Sequence, residues 1–176
     1  MTVTIRAEHP DDHEAIARVV TRAFGSPAEA SLVEAIRASP EYVPELALVA
    51  LDGDRVVGHV MISGAVLVDG DGRRPIAMLS PLAVEPSRQR RGVGAALVRA
   101  VTELAADRGE PVVILEGDPA YYGRFGFEHA TPLGIDIHLP SWAPPEAAQV
   151  LRLPSYEPSM RGQVVYPPAF DQFAGE

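Results

Sequence analysis

A mixed α/β fold, with a central sheet and flanking helices, is what this sequence predicts, and three observations predict it. Along roughly the first 130 residues the apolar pattern switches back and forth between a strand-like and a helix-like period. One passage, residues 76–97 (IAMLSPLAVEPSRQRRGVGAAL), runs an apolar strand through a short basic loop into an Ala-rich helix with two glycines. After that helix, residues 111–116 (PVVILE) form an uninterrupted apolar run of the kind found in strands covered on both faces.

The elements follow in order. Residues 3–7 read as a first short strand. Asp11 stands three residues before Glu14, a capping-box-like start, and Ile16, Val19, Val20, Ala23 and Phe24 then recur at helical spacing. Gly25-Ser26-Pro27 stops that helix, and residues 28–38 give a second one with Leu32, Ala35 and Ile36 on one side. Residues 46–51 and 55–68 are strands joined by Asp52-Gly53-Asp54, a strong hairpin signal. A turn over 69–74 leads to a fourth strand, 76–84, whose Pro81 cannot donate to a ladder and so predicts a bulge or an exposed edge. Val93, Leu97, Ala100, Val101 and Leu104 mark an amphipathic helix ending near Gly109, and 111–116 is the fifth strand. Residues 120–125 are a short helix or turn, and Gly126-Phe127 begins another extended piece. From Thr131 prolines are dense, with strand character only at 150–153 and 162–166. No repeat or long linker interrupts the chain. A single domain over 1–176 is expected, with a core at 3–130 and the Pro-rich extension 131–176 packed on it, since apolar residues persist to Phe170 and Phe173.

Composition narrows the chemistry. The 176 residues, 47% hydrophobic and 22% charged, suffice for one globular domain with a sizeable core. No apolar run approaches a membrane span, and the start MTVTIRAEHPDD lacks a basic segment followed by an apolar one, so residence in the cytoplasm, away from membranes, is expected. Cysteine is absent, which excludes disulfides, thiolate catalysis and an enzyme-bound thioester. Lysine is absent too, which removes Schiff-base chemistry and a Walker lysine. A net charge of −9 argues against a nucleic-acid partner and favours cationic small molecules or basic peptides. Against that background Arg88, Arg90 and Arg91 are a local reversal of sign, placed directly before Gly92.

The run Gln89-Arg90-Arg91-Gly92-Val93-Gly94-Ala95 gathers backbone N–H groups and arginines where a helix begins, a geometry suited to phosphate. A dinucleotide-binding reading draws support from Glu116, which ends the next strand, but fails on three details. The third glycine position is Leu97, Glu85 to Arg91 separate the strand from the first glycine, and arginines stand where a neutral tight turn belongs. A Walker loop has no Gly-Lys-Ser/Thr to rest on.

The surviving pattern, Gln/Arg-x-x-Gly-x-Gly/Ala on a strand–loop–helix, resembles the acetyl-CoA signature of the GNAT superfamily of N-acetyltransferases. Leu82-Ala83-Val84-Glu85-Pro86, the glycine loop, the strand at 112–116 and Tyr121-Tyr122-Gly123-Arg124-Phe125-Gly126-Phe127 follow in the family's order. The spelling Gly117-Asp118-Pro119-Ala120-Tyr121-Tyr122 and the tail from Arg161 to Phe170 (RGQVVYPPAF) are similar to the YhbS-like branch. The resemblance implies a sheet splayed between the fourth and fifth strands to admit acetyl-CoA as co-substrate, with no metal. It implies a pyrophosphate cradled by the backbone from Gln89 through Arg90, Arg91, Gly92, Val93 and Gly94 to Ala95, and pantetheine amides paired along Leu82, Ala83 and Val84. Val84 N–H would polarise the acyl carbonyl. An arginine nearby would reach the 3′-phosphate, without the sequence saying which.

Tyr122 stands at the family's general-acid position, where it would also touch the cofactor; an unperturbed phenol is protonated at neutral pH and can donate to a departing thiolate. Tyr121 is read as packing or lining the site. Glu116 is the candidate base, with Asp118, His59 or water as the alternatives. His59 in mid-strand reads first as a core histidine, and His9, His13, His129 and His138 show no ligand spacing. The expected reaction is direct attack by a primary amine, of a small molecule or a protein, on acetyl-CoA in a ternary complex. The competing reading is a non-catalytic acyl-CoA-binding or regulatory module on the same fold. The tail is expected to line the acceptor pocket or to form a homodimer surface.

Overall fold

The computed structural model describes residues 2–173; Met1 and residues 174–176 of the expected domain lie outside the described residues. The chain forms two compact units, one built from residues up to 63 with 79–104, the other from 64–78 with 105 onward. No described helix is long and apolar enough to cross a membrane.

The first unit holds β1 (Thr4–Ala7), α1 (His13–Phe24), α2 (Ala28–Arg37), β2 (Tyr42–Asp52), and parts of β3 (Arg55–Asp69), β4 (Gly72–Val84) and α3 (Val93–Asp107). β1 pairs antiparallel with β2, from Thr4 opposite Leu51 to Ala7 opposite Leu48. The hairpin β2–β3 closes at Asp52 opposite Arg55, and Gly53 takes the left-handed φ of 61° that such a two-residue loop requires. β2 begins at Tyr42, earlier than the predicted Leu46: the register shifts between Tyr42 and Ala47, and the strand continues through Pro44. The helix start also differs from the sequence reading. The Asp12 carboxylate accepts from the His9 N–H at 2.8 Å and pairs with Arg6 at 2.7 Å, one residue along from the Asp11–Glu14 pair that the spacing suggests. Ile16, Val19 and Val20 of α1 are buried as their spacing predicts, but Phe24 at the end of that helix is exposed; in α2 Leu32 and Ile36 are buried as predicted, with Val33 beside them rather than Ala35, which is half-buried.

On α3, Leu97 is fully buried beside β3, and the close approach is made possible from the strand side. A Cβ on Gly58 would stand 2.9 Å from Leu97 Cδ1 and 3.1 Å from Val93 Cγ1. A dinucleotide fold places its small residue on the helix; here the strand carries it.

The second unit adds β5 (Val112–Glu116), α4 (Pro119–Tyr122), β6 (Glu128–His129), β7 (Ile135–Asp136), β8 (Ala148–Arg152) and β9 (Gly162–Val165). β4 and β5 run parallel through two ladder pairs, Ala77 with Val113 and Met78 with Ile114, and no further pair between them is seen among the described residues. β8 lies antiparallel along all of β5, from Val112 opposite Arg152 to Glu116 opposite Ala148, and β6 pairs with β8 in turn. The tail returns through β9, which pairs antiparallel with the end of β3 and parallel with β7. The predicted strands at 150–153 and 162–166 are therefore present, while β6 and β7 are two-residue ladders with no period to detect. Gly162 marks a tight crossing: its φ is 131°, and a Cβ there would collide with the Val68 carbonyl.

The tail covers one face of β5. Val112 and Ile114 are buried in one cluster with Ile135, Ile137, Met160 and Val164, and Tyr166 and Phe170 pack against it. Side chains alternate along a strand, so Glu116 extends from this same face.

Candidate active site

The loop after β4 is built in the first unit. Leu82 and Val84 are half-buried while Ala83 between them is buried, the alternation of a strand with one accessible side. Glu85 then turns inward: its N–H donates to the Val57 carbonyl at 2.8 Å and its carboxylate pairs with Arg22 at 3.1 Å. A single 3-10 turn, Pro86–Arg88, follows. Of the three arginines singled out by sequence, Arg88 is ion-paired with Asp52, whereas Arg90 and Arg91 are exposed. Gln89 departs from the expected backbone role. Its N–H is turned back to the Pro86 carbonyl at 3.4 Å, and its side-chain amide donates to the Val84 carbonyl at 3.1 Å, tying the loop to the strand end.

Left-handed backbone at Arg90 (φ 62°) and Gly92 (φ 86°) swings the chain into α3. The first bond of that helix end runs from Ala96 N–H to the Gly92 carbonyl at 3.0 Å. Val93, Gly94 and Ala95 are therefore its first turn, three of the four positions whose N–H groups a helix end leaves unserved. Such donors with the helix dipole behind them fit a pyrophosphate.

The acid–base candidates stand in the second unit, around the end of β5. The chain leaves the strand through Gly117, held by two bonds to the neighbouring segment: its N–H donates to the Ala147 carbonyl at 3.0 Å, and the buried Gln149 amide donates to its carbonyl at 2.9 Å. Asp118 caps α4, its carboxylate accepting from the Ala120 N–H at 2.9 Å, so this alternative base is occupied as a cap. Tyr122 closes back over Gly117. A Cβ at Gly117 would lie 2.5 Å from Tyr122 Cε2, so glycine is what allows the ring to rest there. The ring is fixed by edge contacts with Tyr121 at 4.9 Å and Phe127 at 5.7 Å, and Tyr121 packs as expected, under the Arg124 guanidinium at 4.6 Å. Burial, with the adjoining Tyr121, pushes the Tyr122 phenol up to about 12, which keeps it protonated at neutral pH.

The hypothetical Gly117 Cβ lies 3.2 Å from Leu115 Cδ1, on the side of β5 opposite to Ile114 and Glu116. Tyr122 and Glu116 thus flank β5 on opposite faces. Glu116 is an exposed residue, yet desolvation of its carboxyl raises it above the ordinary range; Tyr166 and His138 act in the opposite sense. Tyr166 and His138 were not singled out for this site by sequence, because only the return of the tail along β3 and β7 brings them to β5.

His59 belongs elsewhere. It is fully buried, with Nε2 3.5 Å from the Glu8 carboxylate, and neither ring nitrogen makes a hydrogen bond among the described residues. Arg37 clamps the same carboxylate at 2.5 and 2.8 Å, and His13 lies 3.3 Å from it. Burial lowers the His59 ring more than Glu8 raises it, so the ring is held neutral. The core reading of this histidine therefore holds, but its nitrogens are left unbonded.

Residues 4–130 match the model of the acetyltransferase (GNAT) domain. The chain is 38% identical over 127 residues to the uncharacterized N-acetyltransferase YhbS of Escherichia coli, covering 72% of this chain and 74% of that protein. It is 36% identical over 126 residues to the uncharacterized N-acetyltransferase YjhQ of the same organism, covering 71% and 69%. The crystal structure of Escherichia coli YhbS in complex with CoA superposes with a TM-score of 0.86 at 32% identity, covering 98% of this chain and 93% of that one. A GNAT family acetyltransferase from Brucella melitensis in complex with acetyl-CoA gives 0.78 at 29% identity, covering 97% and 99%. With the strand, glycine loop and tyrosine turn in the family's order and these matches across most of its length, the chain belongs to the GNAT family of N-acetyltransferases.

Proposed function

We propose that this protein is a cytoplasmic enzyme, one domain over 1–176, that moves an acetyl group from acetyl-CoA to a primary amine by direct attack in a ternary complex. The observation that carries this reading is Tyr122, a phenol kept protonated by burial over Gly117, in a chain that superposes on relatives solved with CoA and acetyl-CoA. The N–H groups of Val93, Gly94 and Ala95 would hold the pyrophosphate, with Arg90 and Arg91 exposed beside them for further phosphate charge. Leu82, Ala83 and Val84 would pair with the pantetheine amides as an added strand.

In the chemical step the amine lone pair forms the new C–N bond and the C–S bond breaks. Val84 N–H stabilises the charge on the acyl oxygen, Tyr122 passes its proton to the departing sulfur, and Glu116 takes the proton that the amine gives up. The products are the acetamide and free CoA. No cysteine is available for a covalent relay, which supports direct transfer. The acceptor is a small-molecule amine or a protein amino group.

The test is thiol release from acetyl-CoA across a panel of alkylamines and peptides. Amine-dependent release that falls in Tyr122→Phe supports the enzyme; tight acetyl-CoA binding with no turnover on any acceptor favours a sensor.

A further inference from the structure

The chain has 15 arginines, no lysine, and 24 carboxylate side chains. Several arginines face a carboxylate of their own, as Arg6 faces Asp12 and Arg37 faces Glu8. Those that make no hydrogen bond, ion pair or ring contact among the described residues are Arg55, Arg73, Arg90, Arg91 and Arg161. Arg90 and Arg91 stand at the glycine loop, where phosphate fits. Arg73 and Arg161 meet elsewhere, around a hollow of about 240 Å³ in the second unit, and Arg74 joins them there.

The hollow is built by two segments that the fold fixes against each other. Arg73 and Arg74 stand at the start of β4, directly after the turn from β3. Arg161 comes from the tail, held on both sides. Before it, Met160 is 3% exposed, and its N–H donates to the Glu157 carbonyl at 2.9 Å. After it, the Gly162 N–H donates to the Gly134 carbonyl at 2.9 Å, and Gly162 crosses the Val68 carbonyl too closely for any side chain. Gln163 then pairs with Val68, which seats this segment on the end of β3. The buried Leu67 and Met160 give the hollow an apolar side, while Arg73 and Arg161 are exposed and Arg74 is half-buried. Arg74 reaches Glu157 only at 3.4 and 3.5 Å, longer than a well-formed guanidinium–carboxylate bond, so that pair is weak and easily exchanged.

We propose that this hollow binds a small phosphate monoester, its phosphoryl group held among the Arg73, Arg74 and Arg161 guanidiniums with the Ser159 hydroxyl as a further donor. Guanidinium forks donate paired N–H bonds to phosphate oxygens, and convergent guanidiniums repel one another until an anion lies between them. Three of them against the single carboxylate of Asp69 make this lining positive in a chain of net charge −9. The volume lies below the roughly 300–1,000 Å³ of drug-sized sites, which suits a phosphate on a short carbon body. Being concave, the site takes a soluble ester rather than the plane of a membrane. Ser159 and Arg161 lie beyond the stretch that matches the family model, and the inference does not depend on the acetyltransferase reading.

The test is calorimetry with sn-glycerol 3-phosphate, titrated into CoA-loaded protein so that the glycine loop is filled. Saturable binding is expected in wild type, weakened at least about tenfold in Arg73→Gln and in Arg161→Gln, as befits lost bonds to a charged group. Asp69→Asn should tighten it severalfold by removing the one like charge. Arg55→Gln and Arg90→Gln, which alter unpaired arginines outside the hollow, should leave it unchanged. Glycerate, with the same carbon body and a single carboxylate, should bind at least about tenfold more weakly. Each substitution replaces an exposed side chain, and an unchanged melting temperature without the ester reports that the variant is folded. No saturable binding by wild type, affinity unchanged in both Arg73→Gln and Arg161→Gln, or a loss in Arg90→Gln instead overturns the site. Glycerate binding as tightly as the phosphate overturns the ligand class, and binding to phosphatidic acid vesicles without binding of the soluble ester overturns the small-molecule assignment.

Discussion

Two of the glutamates at strand ends in this chain, Glu8 and Glu116, have opposite fates. Glu8, just after β1, has a side chain only 1% exposed, and Arg37, itself 8% exposed, clamps it at 2.5 and 2.8 Å. Burial works against the charged form there, but the adjoining His59 ring and the Arg37 guanidinium more than offset it and hold Glu8 below its ordinary value. Glu116, at the end of β5, has no guanidinium acting on it among the described residues; a phenol and an exposed imidazole do, and its titration moves upward because burial outweighs them. A carboxylate given a buried cation becomes a fixed structural charge. One acted on only by a phenol and an exposed imidazole keeps the capacity to exchange a proton.

The contrast can be broken most severely at Arg37. Arg37→Met leaves Glu8 buried with no guanidinium, and should cost about 3–5 kcal/mol in denaturant unfolding, since removing one partner strands the other charge. A cost below about 1 kcal/mol would mean that Glu8 is not held by this pair. On the reactive side, Tyr122→Phe should lower turnover about a hundredfold while acetyl-CoA affinity stays within about twofold, as stopped-flow thiol release and calorimetry would show. Glu116→Gln should lower turnover about tenfold and flatten the acid limb of the rate profile. In wild type that limb should lie above the ordinary carboxylate range, because Glu116 is raised and only its deprotonated form accepts a proton; the rate climbs as pH rises through it.

The smallest effect concerns His59. Its folded titration lies below the unfolded value of about 6.5, so the unfolded chain binds a proton that the folded chain refuses. Stability should therefore fall as pH drops below about 6.5, with a slope of at most about 1.4 kcal/mol per pH unit from this group. Glu8 adds to the loss at lower pH, because its folded value is depressed below 4.5. His59→Gln should flatten the upper part of that decline in a series of thermal melts from pH 7 to 5.

Much of the fold was legible because it rests on local signals. The stripes of α1, α2 and α3, the Asp52–Arg55 turn and the apolar run of β5 all follow from periodicity and turn chemistry. Misplaced boundaries had specific causes: Pro44 hides the start of β2 behind an irregular register, and the helix-entry bond of Asp12 is one residue from the more familiar pattern. Of the candidate site, the glycine loop and Tyr122 could be read from spacing. Gln89 could not, because its side-chain bond to the Val84 carbonyl depends on how the 3-10 turn folds back. Nor could the capping role of Asp118, or the engagement of Arg88 with Asp52 36 residues away.

The sequence by itself determined the family: a strand–glycine loop–helix and a tyrosine turn, in a chain with neither cysteine nor lysine. Those are short-range patterns, and short-range patterns survive in a string of letters. Only the tertiary structure decided that Tyr122 and Glu116 leave β5 on opposite faces, that Gly117 clears the space for one, and that the returning tail sets Tyr166 and His138 beside the other. Those relations join positions up to 50 residues apart, between Glu116 and Tyr166, through ladders of only two or three residue pairs. So few paired residues impose no period of their own, and their partners are chosen by packing rather than by local preference.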